Sequence, residues 1–193
     1  MRFASVPSTQ DLARDLPVGS IVVADHQTAG RGRLDRRWEA PPGTALLVSF
    51  VLEPRSLLSL TLGVAAAHAC GASVRLKWPN DLLLDGRKLG GILVETTPYK
   101  AVCGIGVNLT WAPDGAAMLG QDREALLGRL RDEVDKWCAA SDVEVLSRWR
   151  ELSDTLGRRV RIDGDEGMAE DIGPNGELIV DGRSYVAGSV THL

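Results

Sequence analysis

Cysteine, histidine and aromatic side chains are scarce in this chain. The three cysteines, Cys70, Cys103 and Cys138, lie far apart and form no CxxC pair. That spacing excludes a disulfide framework and a thiolate metal site, and reads as reduced, mostly buried thiols of a cytoplasmic protein. The three histidines, His26, His68 and His192, are equally isolated and read as satisfied or surface residues, not as metal ligands. Lysine is sparse too, 4 residues against 18 arginines, so a lysine inside a motif stands out. Acidic residues outnumber basic ones, 26 to 22, giving a net charge of −4. This balance argues against a general nucleic-acid binder.

Long hydrophobic runs are also missing. The start, MRFASVPSTQ, has no apolar core of signal-peptide length, so no export signal is read there. Ser56 to Val74 is uncharged, but it holds Ser56, Ser59, Thr61, His68 and Ser73 and is otherwise rich in Ala and Gly. That composition fits a helix buried on a sheet better than a bilayer span. With 193 residues, 44% of them apolar, the chain can build one main domain with a core of its own and a small appendage.

Up to about Ala140 the pattern alternates helix and strand. Ser8 or Thr9 can cap a short helix through Leu12 and Leu16. Ile21–Ala24 and Thr44–Leu52 read as buried strands, Gln27 to Arg37 as a long loop, and the stretch from Leu57 as a helix. Arg75–Lys77 starts a strand that Pro79 breaks. Asp81–Leu84 and Gly91–Glu95 flank Asp85-Gly86, a hairpin signal in which Asp85 is only a turn residue. Ala101 to Leu109 is a further strand, and residues 122–140 and about 143–156 read as helices. After Leu156 only short strand patterns remain, at 160–162, 168–170, 177–180 and 185–187, separated by Gly, Asp and Asn. The reading is α+β, with a small all-β C-terminal domain.

Two clusters carry chemistry. Gly30-Arg31-Gly32-Arg33-Leu34-Asp35-Arg36-Arg37-Trp38 gathers four arginines and one acid. Like charges packed this closely call for an anion, and glycines let backbone N–H groups approach it. It is neither a dinucleotide fingerprint nor a P-loop. A loop that closes over phosphate or carboxylate fits best, with Trp38 to anchor or stack. The second cluster is Lys77-Trp78-Pro79-Asn80-Asp81, followed by Arg87-Lys88-Leu89-Gly90-Gly91. Asn80 and Asp81 order Mg²⁺ with a nucleotide phosphate, hold a ribose, or only shape a turn. Paired Gly90 and Gly91 inside a strand point to close approach of another group to the backbone.

These two clusters, with Gln27-Thr28-Ala29 before the first, Ile92-Leu93-Val94-Glu95 after the second and Gly104-Ile105-Gly106-Val107-Asn108 beyond, resemble the biotin protein ligases. The resemblance spans essentially the whole chain. It implies a class II synthetase-like catalytic domain over residues 1–156, a mixed sheet packed with helices. Residues 157–193 would form an SH3-like β-barrel. The implied activity is ATP-dependent formation of biotinyl-5′-AMP and transfer of biotin to one lysine of a biotin carboxyl carrier domain. ATP with Mg²⁺ and biotin are the implied substrates, with no prosthetic group.

By position, the resemblance puts Ser8, Thr9, Gln10, Gln27, Arg31, Gly32, Arg33, Lys88, Gly90 and Gly91 at biotin. It puts Arg33, Arg36, Trp38, Lys77, Asn80, Asp81 and Asn108 on the nucleotide side. Lys88, Arg33 and Asp81 are the catalytic set, and Asp81 is the metal ligand. Two departures stand out: Gln10 replaces the family's Asn, and Asp35 stands where the loop usually carries a later glycine. Because Ser8 lies so near the start, the short form of the family is expected, without an N-terminal DNA-binding winged helix. The expected protein is cytoplasmic, monomeric or weakly dimeric, and contacts neither nucleic acid nor membrane. The competing readings are a lipoate ligase or lipoyl/octanoyl transferase, and a catalytically inactive biotin-binding homologue.

Overall fold

In a computed structural model, which describes residues 1–34 and 36–193, the chain forms two compact units, each drawn from two segments. Asp35 lies outside the described residues. The first unit is Met1–Arg55 with Arg87–Arg129, and the second is Ser56–Gly86 with Leu130–Leu193.

The first unit is built on β1 (Arg2–Phe3), β2 (Ile21–Ala24), β3 (Ala45–Leu52), β6 (Arg87–Thr96) and β7 (Ala101–Asn108), in the order β1-β2-β3-β7-β6. β1 runs parallel to β2, and the other neighbours are antiparallel. β3 and β7 are buried almost throughout, as their continuous apolar runs require. Helix α1 (Thr9–Ala13) is capped by Ser8, whose hydroxyl accepts from Gln10 N–H. It ends well before Leu16, because Pro17 and Gly19 follow. Ala13 packs with Val22, Val51 and Val102, and Phe3, Leu12 and Leu16 close over them, so α1 covers one end of the sheet.

The second unit contains α2 (Leu58–Cys70), the antiparallel pair β4 (Val74–Lys77) and β5 (Asp81–Leu84), and α4 (Asp142–Leu152). Helix α3 (Arg123–Ala139) begins in the first unit and ends in the second. The uncharged stretch is α2, buried along nearly its whole length. No helix among the described residues is long and apolar enough to cross a membrane. α4 starts with a capping box, Ser141 and Glu144 satisfying each other's backbone N–H. Asp85 and Gly86, both at positive φ (51° and 72°), turn the chain after β5, as an Asp-Gly pair does in a type I′ turn.

The remaining strands, β8 (Arg159–Ile162), β9 (Asp165–Ile172), β10 (Leu178–Val180), β11 (Arg183–Tyr185) and β12 (Val190–His192), form one antiparallel sheet in the order β11-β10-β9-β8-β12. Strand β11 lies earlier than the expected 185–187, and Val186 is exposed. The turn at Asp181 and Gly182, again at positive φ, brings Arg183 directly opposite Val180.

Two partly buried histidines give this unit a pH dependence. Arg148 Nε–H donates to His68 Nε2 at 2.8 Å, which requires a neutral ring with its proton on Nδ1, facing Glu133 at 3.4 Å. Thr155 accepts from Trp78 N–H at 3.0 Å, and its hydroxyl lies 3.2 Å from His192 Nε2. Burial lowers both histidine pKa values. The next cause is Arg148 for His68 and Lys77 for His192. The unfolded chain therefore takes up these protons first, and stability is lost as pH falls below the ordinary histidine value of about 6.5. The melting temperature is expected to drop between pH 7 and pH 5.5, and His68→Gln with His192→Gln should flatten that slope. An unchanged slope would dissociate the effect from these rings.

Candidate active site

The sheet of the first unit has one face that changes character along its length. Antiparallel pairing sets Val51, Val102 and Glu95 in one row, Ser49, Gly104 and Leu93 in the next, and Leu47, Gly106 and Gly91 in a third. Side chains alternate along a strand, so these three rows share a face. α1 covers the first row. The next two rows are lined by glycines where a strand would normally carry bulk, and two side chains use that room. A Cβ on Gly104 would lie 3.0 Å from Gln10 Oε1, and one on Gly106 would lie 2.8 Å from the Trp38 ring. Gly91 pairs with Gly106, so the close approach that Gly90-Gly91 signals falls at this bare patch.

Beside the patch runs a polar row, buried except at Gln27, which is partly buried. Val6 N–H donates to His26 O, and Thr28 and Ala29 N–H donate to Val6 O and Pro7 O, which fixes Gln27 beside the start of α1. Gln27 Oε1 accepts from Thr9 N–H (2.7 Å) and touches Thr9 Oγ1 (2.9 Å). Ser49 Oγ lies 2.8 Å from Thr9 Oγ1 and 2.9 Å from Gln10 Oε1. Two hydroxyl protons thus serve three oxygen–oxygen contacts, so the row has one donor too few and suits a ligand that brings an N–H. Ser8, Thr9, Gln10 and Ser49 are all buried.

The arginine loop is a tight excursion. Trp38 N–H donates to Gly30 O, and Gly32 N–H donates to Arg36 O at 2.7 Å. Gly30 is obligatory, since a Cβ there would sit 2.3 Å from Trp38 O. The Arg31 guanidinium lies 2.8 Å from Asp11 and 3.3 Å from Glu95. Arg33 is partly buried, while Arg36 and Lys88 are exposed. Trp38 Nε1 is buried without a hydrogen-bond partner, a donor that an acceptor atom of a ligand would satisfy at a gain of about 1–3 kcal/mol.

Lys88 stands at the start of β6. Its carbonyl accepts from Ala117 N–H, and Ala117 O accepts from Asn108 Nδ2 at 3.0 Å. Buried Asn108 therefore spends its amide on the backbone that braces Lys88.

In the second unit, Lys77 and Asp81 are direct partners across the β4–β5 turn, with Trp78, Pro79 and Asn80 between them. Trp78 is buried, and its indole N–H donates to Gly176 O at 2.9 Å. This leaves Lys77, Asn80 and Asp81 partly exposed at the tip. No group of three His, Cys, Asp or Glu side chains that could hold a metal occurs among the described residues. One carboxylate beside one carboxamide suits Mg²⁺ carried mainly by phosphate oxygens.

The sequence motifs did not single out Ser49, Glu95, Gly104 or Gly106 as site residues. The signal for the glycines was their alternation in a strand. Glu95 closes one of the motifs that carry the resemblance, but without a role, and Ser49 gave no signal.

The chain belongs to the biotin/lipoate A/B protein ligase family, which residues 3–109 match. It is 34% identical to the biotin–[acetyl-CoA-carboxylase] ligase of Mycobacterium tuberculosis, over 91% of this chain and 79% of that one. It is likewise 34% identical to the bifunctional ligase/repressor BirA of Escherichia coli, over 89% of this chain and 64% of the relative. Among solved structures, the biotin protein ligase from Aquifex aeolicus in complex with biotin and ATP superposes with a TM-score of 0.84 at 26% identity, covering 100% of this chain and 97% of that one.

Proposed function

We propose that this protein is an ATP-dependent biotin protein ligase. It forms biotinyl-5′-AMP and transfers the biotinyl group to one lysine of a carboxylase's biotin carboxyl carrier domain. The single observation that carries this reading is the polar row of buried Thr9 and Ser49 with partly buried Gln27, beside a glycine-lined sheet face, in a chain of this family. A ureido ring offers N–H donors and a carbonyl acceptor to such a row. A dithiolane or an octanoyl chain offers neither, and would leave buried polar atoms unpaired. That difference favours biotin over lipoate.

A biotin carboxylate oxygen attacks the α-phosphorus of ATP, and pyrophosphate leaves. The acceptor amine then attacks the acyl carbon, AMP leaves with the original carboxylate oxygen, and the amine loses a proton. Lys88 and Arg33 stabilise the charge that builds as two anions meet, and a closed loop strengthens each contact by excluding water. Ser8, Thr9, Gln27, Arg31, Gly32, Gly90 and Gly91 hold biotin. Arg36, Trp38, Lys77, Asn80 and Asp81 serve the nucleotide, whose Mg²⁺ enters with it as part of the substrate. Residues 1–156 act as the catalytic domain, and residues 157–193 as an SH3-like accessory domain. The working place is the cytoplasm, as a monomer or weak dimer. The test offers biotin and lipoate separately with ATP and Mg²⁺. Pyrophosphate should be released with biotin and fall about 10³-fold or more with lipoate. Equal release would reinstate the lipoate reading.

A further inference from the structure

Glu95 takes part in no step of that reaction, yet it joins two parts of the site. It ends the row Val51–Val102–Glu95 on the functional face, and one carboxylate oxygen, Oε2, meets three donors. These are Gln10 Nε2 at 3.2 Å, Arg31 Nη2 at 3.3 Å and Arg14 Nη2 at 3.4 Å. Gln10 is fixed in one orientation. Its Oε1 faces Ser49, and its Nε2 faces Glu95, Val102 O and Leu93 O. Flipping the amide would set an oxygen against three acceptors. Both ends of this amide are consumed by the protein, so Gln10 has no proton to spare for a ligand.

We propose that Gln10 and Glu95 form a positioning relay: Gln10 holds Glu95 from the pocket floor, and Glu95 holds Arg31 and with it the arginine loop. The extra methylene of Gln over the family's Asn is what lets one amide span Ser49 on β3 and Glu95 on β6, and Gly104 between them leaves room for it. The hydroxyl row and the loop are thereby set by one side chain. Asp11 meets the same Arg31 nitrogen at 2.8 Å, so loop anchoring rests on two carboxylates. The consequence for catalysis rests on the biotin-ligase reading, but the anchoring does not.

The experiment is limited trypsin cleavage of the ligand-free protein after Arg33, Arg36 and Arg37, with melting temperature as the control for folding. Glu95→Gln keeps the shape and the Gln10 contact but removes the charge from Arg31. It should speed cleavage about two- to fivefold, the range of one partly exposed ion pair. Asp11→Asn with Glu95→Gln should speed it about tenfold. In an Arg31→Gln background, Glu95→Gln should add nothing, because both act through one contact. Gln10→Met, matched for length, should act as Glu95→Gln does. If that buried change lowers the melting temperature, the exposed-charge variants decide. Cleavage of Glu95→Gln at the wild-type rate, or additive effects with Arg31→Gln, would overturn the relay. With biotin and ATP, Glu95→Gln should leak adenylate onto a bystander protein two- to fivefold more than wild type. A wild-type protein that released no pyrophosphate would contradict the proposed function, while the cleavage rates would still decide the relay.

Discussion

Replacing Lys88 with alanine is expected to lower biotinyl-adenylate formation by about 10²-fold or more, with the melting temperature unchanged. Carboxylate and α-phosphate are both anionic, and a preorganised cation aimed at the developing charge is worth that much. The backbone at Lys88 is braced independently of its side chain, through Ala117 N–H and, one step on, the Asn108 amide. Lys88 as a residue is exposed. Removing its ammonium therefore deletes charge without opening a cavity, so the loss should fall on the chemical step. Pyrophosphate release under saturating biotin and ATP measures it, and near-normal release would remove Lys88 from the mechanism.

Arg33→Gly should harm retention of the intermediate more than its synthesis. Arg33 lies in the turn of the loop, and its carbonyl accepts from Arg36 N–H at 3.2 Å, a backbone contact that glycine preserves. The variant loses the guanidinium and gains a freer backbone in the segment that shields the adenylate. A charge-assisted contact of roughly 1.5–3 kcal/mol corresponds to about a tenfold to hundredfold weaker hold. Lys88 remains, so adenylate still forms, and the escaped mixed anhydride acylates nearby amines. Biotin should then spread over a bystander protein that lacks a carrier domain. Bystander labelling equal to wild type would mean that the loop is not a lid.

The sequence showed most clearly what local chemistry decides. Ser8 as a cap, Asp85-Gly86 as a turn and the uncharged run as the buried helix α2 are all dictated within a few residues. The short edge strands β1 and β12 were not legible. Each is defined by pairing with a distant segment, Arg2 with Val23 and Val190 with Ile162, and neither carries a hydrophobic run of its own. The motif residues were legible as candidates, but their division of labour was not. Gln10 reads as a pocket residue by its place after Ser8 and Thr9, and only the pairing of β3, β6 and β7 shows that its amide is spent on Ser49 and Glu95. Ser49 itself reads as one more residue of a buried strand until β3 is placed beside β7 and α1. Asn108 likewise takes its meaning from a backbone nine residues on, at Ala117.

The most direct measurement follows one oxygen atom. Biotin labelled with ¹⁸O in both carboxylate oxygens is incubated with the protein, ATP, Mg²⁺ and a carrier domain, and AMP and carrier are weighed by mass spectrometry. Attack of the carboxylate on the α-phosphorus leaves one labelled oxygen in AMP, and the amide on a single carrier lysine keeps the other. Unlabelled AMP, or a carrier without added mass, would contradict the account.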